Sequence, residues 1–157
     1  GMHKVKPDLG ALIAWNINLD DRRIQFINGM AANDPVSTLQ IWKFIIDRYP
    51  ADGGTCVFFN SRDDRPLRTR QMIELTLEQI KPDYFIMRGD KVTSIVSALS
   101  YHSPNTRIKI VGLDESYDNI IESMKELPND TLVYAIGNQV GAGQDILESI
   151  SSYRYNG

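Results

Sequence analysis

The sequence predicts an α/β fold, a mostly parallel sheet with helices on both of its faces. Three observations predict it. Short apolar, β-prone runs alternate with amphipathic stretches from Cys56 to near the end of the chain. The runs show little polar alternation, as expected of strands buried on both sides. Repeated strand–helix–strand units imply right-handed crossovers, and therefore parallel strands.

The first two runs differ from the rest. Leu12 to Ile17 and Arg23 to Asn28 are joined by Leu19-Asp20-Asp21-Arg22, a polar turn, and read as an antiparallel hairpin. Four further runs follow: Cys56 to Phe59, Tyr84 to Met87, Ile108 to Val111 and Leu132 to Ile136. The expected sheet has about five parallel strands, with the first hairpin strand added antiparallel.

Helical stripes fill the intervals. Asp34 is placed to cap a helix that Pro35 opens, with Val36, Leu39, Trp42, Ile45, Ile46 and Tyr49 along one stripe. Met72, Ile73, Thr76, Leu77 and Ile80 mark a second helix, ended by Lys81-Pro82. Val92, Ile95, Val96 and Leu99 mark a third, and Tyr117, Ile120, Ile121, Met124 and Leu127 a fourth that stops at Pro128. Ile146, Leu147 and Ile150 lie on a fifth. Trp15 and Trp42 fall at core-facing positions and read as packing.

Composition bounds the function. The 157 residues suit one domain of ordinary size, and 42% hydrophobic with 24% charged residues is a globular composition. A net charge of −3 without any Lys/Arg run gives no reason to expect a nucleic-acid partner. Cys56 is the single cysteine, so no intrachain disulfide is possible, and its apolar neighbours suggest a buried, inert thiol. No apolar stretch approaches the roughly 20 residues needed to cross a bilayer, and the N-terminus has no signal-peptide core. Gly1 ahead of Met2 looks like a protease scar from an expression tag. Residues 1–10 are therefore set aside as scar and tail, and 11–157 read as a single domain, with the cytoplasm as default compartment.

Ligands of such sheets bind beyond the carboxyl ends of the strands. The loops expected there are charged or glycine-containing, whereas those at the opposite end are simple turns. Arg62, Arg65, Arg68 and Arg70 fall within nine positions of one loop, beside Asp63 and Asp64. Guanidinium groups grip carboxylates and phosphates bidentately. The same spacing also allows a solvated loop whose Arg and Asp pair with each other, worth little, and composition does not choose between these. Asp34 reads equally as a helix cap and as a carboxylate facing a ligand, with Asn33 beside it. Gly137 to Gly143 would let backbone N–H groups approach an anion, although tight strand–helix packing explains those glycines more simply.

Other chemistries find less support. No Gly-x-x-x-x-Gly-Lys-Ser/Thr loop and no Gly-x-Gly-x-x-Gly occurs. His3 lies in the tail and His102 at a helix end, and no metal-ligand spacing or nucleophile elbow is present.

Three segments carry a resemblance. Phe26-Ile27-Asn28-Gly29-Met30-Ala31-Ala32-Asn33-Asp34-Pro35-Val36-Ser37-Thr38, followed by Ile41-Trp42, is similar to the start of the C-terminal domain of the poly-γ-glutamate synthetase ATPase subunit, a Mur-ligase-like enzyme of capsule synthesis. Asn60-Ser61-Arg62-Asp63-Asp64-Arg65, with Arg68-Thr69 and Gln71, resembles that family's arginine loop. Tyr134-Ala135-Ile136-Gly137-Asn138, with Gly141, resembles its last strand and glycine loop. The matches fall in order over most of residues 11 to 152.

The resemblance implies a Rossmann-like three-layer domain of an ATP-dependent amide ligase. In that family a glutamate carboxylate attacks the γ-phosphate of ATP, and an incoming glutamate amine displaces phosphate from the acyl phosphate. It implies that Arg62, Arg65 and Arg68 bind carboxylate or phosphate groups, with Asp64 beside them. Asn33 and Asp34 would face the nucleotide or the incoming amine, and Gly137 and Asn138 would line the cleft. ATP and Mg²⁺ are implied as cofactors, held mainly by an upstream ATPase domain that carries the P-loop. Membrane subunits of a polymer synthetase complex are implied as partners, which would bring the domain to the inner face of the membrane. On this reading the isolated chain is inactive. The alternative is a stand-alone, non-catalytic nucleotide- or amino-acid-binding or subunit-docking module.

Overall fold

A computed structural model describes residues 13–32 and 34–155. The tail, including His3, and Asn33 lie outside the described residues. The hairpin forms as β1 (Ile13–Leu19) and β2 (Arg22–Asn28). Its turn is shorter than the expected four residues. Asp20 and Asp21 alone form it, both at positive φ (47° and 70°), the two-residue geometry whose twist matches the flanking strands.

The remaining strands are β3 (Thr55–Asn60), β4 (Tyr84–Arg88), β5 (Arg107–Val111) and β6 (Thr131–Gly137). Among the described residues they form one six-stranded sheet in the order β1-β2-β6-β3-β4-β5. Only β1 runs antiparallel; β2, β6, β3, β4 and β5 are mutually parallel.

The helices are α1 (Pro35–Arg48), α2 (Pro66–Leu75), α3 (Thr93–Leu99), α4 (Asp118–Lys125) and α5 (Ala142–Ser151). Alternation along the central strands divides the core between two faces. Val57 and Phe59 join Trp42, Ile45, Met72, Ile73 and Val96 on the α1–α3 side. Cys56 and Phe58 join Ile120, Met124, Ile146 and Ile150 on the α4–α5 side. The result is a three-layer α/β sandwich.

Three expectations are corrected. The α1 stripe does not include Val36 and Ile46, which are exposed; Thr38, Ile41, Trp42 and Ile45 are the buried positions. The second helix begins at Pro66, not near Met72. Its first turn carries Leu67, Arg68 and Arg70, none of them fully buried, so no apolar stripe announces it. It ends in a π-turn, Thr76–Ile80, where the Thr76 hydroxyl donates to the Met72 carbonyl at 2.8 Å. Finally, β5 is not buried on both faces: it is an edge strand, and Arg107 and Lys109 are exposed on it. Charges at such an edge discourage pairing with another chain.

Candidate functional site

Strand order decides where a crevice opens. The chain leaves β3 toward the α1–α3 layer and leaves the adjacent β6 toward the α4–α5 layer. Neighbouring strands whose connections part in this way leave a gap beyond their carboxyl ends. A shallow cleft lies in that gap, lined by Phe59, Asn60, Arg62, Arg65, Arg68, Thr69, Met72, Gly137 and Asn138. Five of the residues expected at the site, Arg62, Arg65, Arg68, Gly137 and Asn138, meet there. Its volume is about 30 Å³. Its arginines present hydrogen-bond donors suited to the oxygen atoms of an anion.

Backbone geometry shapes the β6 side. Gly137 has φ +103°, and a Cβ there would collide with the Asn60 carbonyl oxygen and the Phe59 ring. Only glycine lets β6 pass this close to β3. Asn138 N donates to the Asn60 carbonyl at 2.9 Å, and Asn60 Nδ2 returns a bond to the Asn138 carbonyl at 2.8 Å. Gly137 and Gly143 serve close packing; Gly141 does not.

The arginines are not equivalent. Arg62 donates from Nε to Asp64 Oδ1 at 2.8 Å and from Nη2 to Asp64 Oδ2 at 3.2 Å. This bond to the guanidinium, before its bare charge, holds the Asp64 carboxyl below the usual carboxylate range. The pair is exposed, so it contributes little stability. Arg65 has no ion pair among the described residues. Arg68 lies on the first turn of α2, where its charge also acts on Asp34. Arg70, which the sequence groups with these, turns away to pair with Glu74 at 2.9 Å, one helical turn on. The Arg62 carbonyl accepts from Arg65 N at 3.0 Å and Thr69 Oγ1 at 3.2 Å, which shapes the turn into α2. That helix has no side-chain cap at its N-terminus.

Asp34 caps α1 as expected: Oδ1 accepts from Ser37 N at 2.9 Å. This bond, ahead of the weaker influence of Arg68, keeps its carboxyl below the usual range. Asp34 does not line the cleft. It borders an open groove between α1 and α2, together with Val36, Leu39, Arg68 and Gln71. Arg68 belongs to both depressions and links them. Asp64 also lies off the cleft lining, connected to it through Arg62.

Asn60 and Arg88 stand out only in the structure. Asn60 is buried at the end of β3 and lines the cleft. Arg88 is buried at the end of β4 and donates from Nη1 to Asn60 Oδ1 at 3.3 Å. A charged residue directly continuing the apolar run Tyr84 to Met87 was the available signal. At this same end of the sheet Val36 and Leu67, on the first turns of α1 and α2, and Val140, in the loop between β6 and α5, are exposed. Among the described residues no three acidic, histidine or cysteine side chains gather as a metal site would require, and no helix is long and apolar enough to cross a membrane.

The chain is 33% identical over 156 residues to the protein named PGA synthase CapB of Bacillus subtilis (strain 168), which covers 98% of this chain and 39% of that relative. It is 31% identical over 150 residues to the capsule biosynthesis protein CapB of Bacillus anthracis, covering 96% of this chain and 32% of the relative. The chain therefore spans well under half the length of either. Residues 15–153 match the family model described as poly-gamma-glutamate synthase CapB C-terminal domain. The chain belongs to the CapB C-terminal domain family.

Proposed function

We propose that this domain is the closing half of an ATP-dependent amide ligase of poly-γ-glutamate synthesis, acting in the cytoplasm. The observation that carries the reading is the meeting of Arg62, Arg65 and Arg68 with Gly137 and Asn138 in one cleft at the sheet's switch point. Membership in a family named for poly-γ-glutamate synthase supports the substrate class. The relatives' greater length supports an upstream domain as the other half of the site.

The residues suit a shared site. The guanidiniums of Arg65 and Arg68 would neutralise carboxylate or phosphoryl oxygens as charge builds up, and positioning is the main demand of phosphoryl transfer. ATP, when bound, would supply the phosphoryl group that activates a glutamate carboxylate. Among the described residues no cluster of acidic, histidine or cysteine side chains suits Mg²⁺, so in this reading that ion belongs with the upstream domain. Exposed Val36, Leu67 and Val140 offer apolar contacts around the cleft to a domain closing on it. Membrane subunits of a synthetase complex would dock elsewhere on the full-length protein.

The test uses a full-length protein carrying this domain. Arg65→Ala should abolish polymer formation while leaving the protein folded by circular dichroism, and the isolated 157-residue chain should form no amide bonds. Polymer made at an undiminished rate by the Arg65→Ala protein would refute the assignment.

A further inference from the structure

The end of β4 holds a cation with no counter-ion among the described residues. Arg88 is 8% exposed, and none of the ion pairs among the described residues includes it. Its Nη1 donates to Asn60 Oδ1 at 3.3 Å and its Nη2 to the Leu113 carbonyl at 3.4 Å, while the buried Nε makes no hydrogen bond. The ring of Tyr117 lies 5.3 Å from the guanidinium carbon. Two neutral oxygens and a ring under-compensate a buried charge.

The arrangement of these bonds indicates what is wanted. Nε and Nη2 form the edge by which a guanidinium grips an oxyanion with two parallel bonds. Here half of that edge is unbonded and the other half makes a long contact to a carbonyl. Nearby acids do not take the place of a counter-ion. Asp90 Oδ1 accepts from Leu113 N at 2.8 Å, Glu115 Oε2 from Gly112 N at 2.5 Å, and Asp63 Oδ2 from Asp90 N at 3.4 Å. The first two fasten the β5–α4 loop beside the arginine and the third ties the loop after β3 to the loop after β4, all through exposed bonds.

We propose that Arg88 is the receptor for a small oxyanion, a carboxylate or phosphate group, which displaces the Leu113 carbonyl from the Nε–Nη2 edge. The site is separate from the arginine-loop cleft. Arg88 shares its side of the sheet with Ile86, which packs toward the α4–α5 layer, whereas the cleft lies over Phe59 and Met72 on the α1–α2 side. Asn60 stands between the two sites and touches both. The inference rests on Arg88 alone and does not depend on the ligase reading.

The experiment follows the arginine Nε–H resonances of the ¹⁵N-labelled 157-residue chain. The Arg88 peak is assigned by its loss in Arg88→Lys, or by through-bond correlation if that variant fails to fold. Inorganic phosphate and glutamate are titrated separately, with sodium chloride at matched ionic strength as control. The expected result is a saturable shift of the Arg88 peak with phosphate or glutamate, whichever responds naming the source, and none with chloride. With binding followed by the backbone amide peaks of Asn60 and Leu113, which border the guanidinium, Arg88→Lys should weaken it by about tenfold or more, and Arg65→Ala should leave it intact. A peak unmoved by both oxyanions, moved equally by chloride, or silenced by Arg65→Ala would overturn the proposal.

Discussion

Asn60 and Asn138 hold each other twice, backbone to backbone at 2.9 Å and amide side chain to carbonyl at 2.8 Å, and so fasten the end of β3 to the loop that leaves β6. Asn60 Oδ1 is at the same time an acceptor for Arg88. Asn60→Ala would strip the partner from a carbonyl and from a buried guanidinium nitrogen at once. The expected loss is about 1–3 kcal/mol in urea unfolding, with the unfolding slope unchanged.

Gly137 offers a sharper test. Ala at this position meets both a forbidden backbone angle and the Asn60 carbonyl. Gly141 also has positive φ, +68°, yet nothing lies within 4 Å of where its Cβ would be. Gly137→Ala should therefore cost clearly more than Gly141→Ala, which pays backbone strain alone, of the order of 1 kcal/mol. Equal melting temperatures for the two variants would contradict the packing account.

The cap on α1 predicts a pH dependence. Ser37 N holds the Asp34 carboxyl below its ordinary 3.8. The folded form thus binds fewer protons than the unfolded one near that pH. The stabilisation is full above the ordinary value and disappears as pH falls through the lowered one. Asp34→Ala should cost about 1 kcal/mol at neutral pH, and the gap from the parent protein should narrow when both are unfolded in urea near pH 3.

Most of the architecture was legible from periodicity and punctuation. Pro35 after Asp34 marked α1, and the apolar runs marked the parallel strands, because burial on both faces leaves so plain a signature. Strand order was not legible: nothing in Leu132 to Ile136 says that this run inserts between β2 and β3. The candidate site was half legible. Clustered arginines are visible in a sequence, but which of them pairs with Asp64, which turns toward Glu74 and which faces the cleft depends on where α2 begins. An exposed first turn leaves no periodic trace. Arg88 was hidden for a different reason, since its burial comes from neighbours far away in the chain, Asn60 and Leu113.

The lone cysteine gives a simple readout of the whole fold. Cys56 is fully buried on β3, and burial pushes its thiol far above the ordinary range. The native protein should resist alkylation at mildly alkaline pH, and labelling should appear only with global unfolding. Rapid labelling under native conditions would mean that the sheet opens locally at β3.

The position of β6 has a consequence for how the chain comes together. Its neighbours, β2 and β3, are bonded to it and not to each other. Before Thr131–Gly137 is available, the hairpin and the β3–β4–β5 unit have no shared ladder, and each leaves an open edge. Such long-range pairing is slow, and unfinished edges attract other chains. Any fragment ending ahead of Thr131 would be two half-sheets without a keystone, prone to precipitate. Supplying the missing stretch as a separate peptide should restore a soluble, closed sheet.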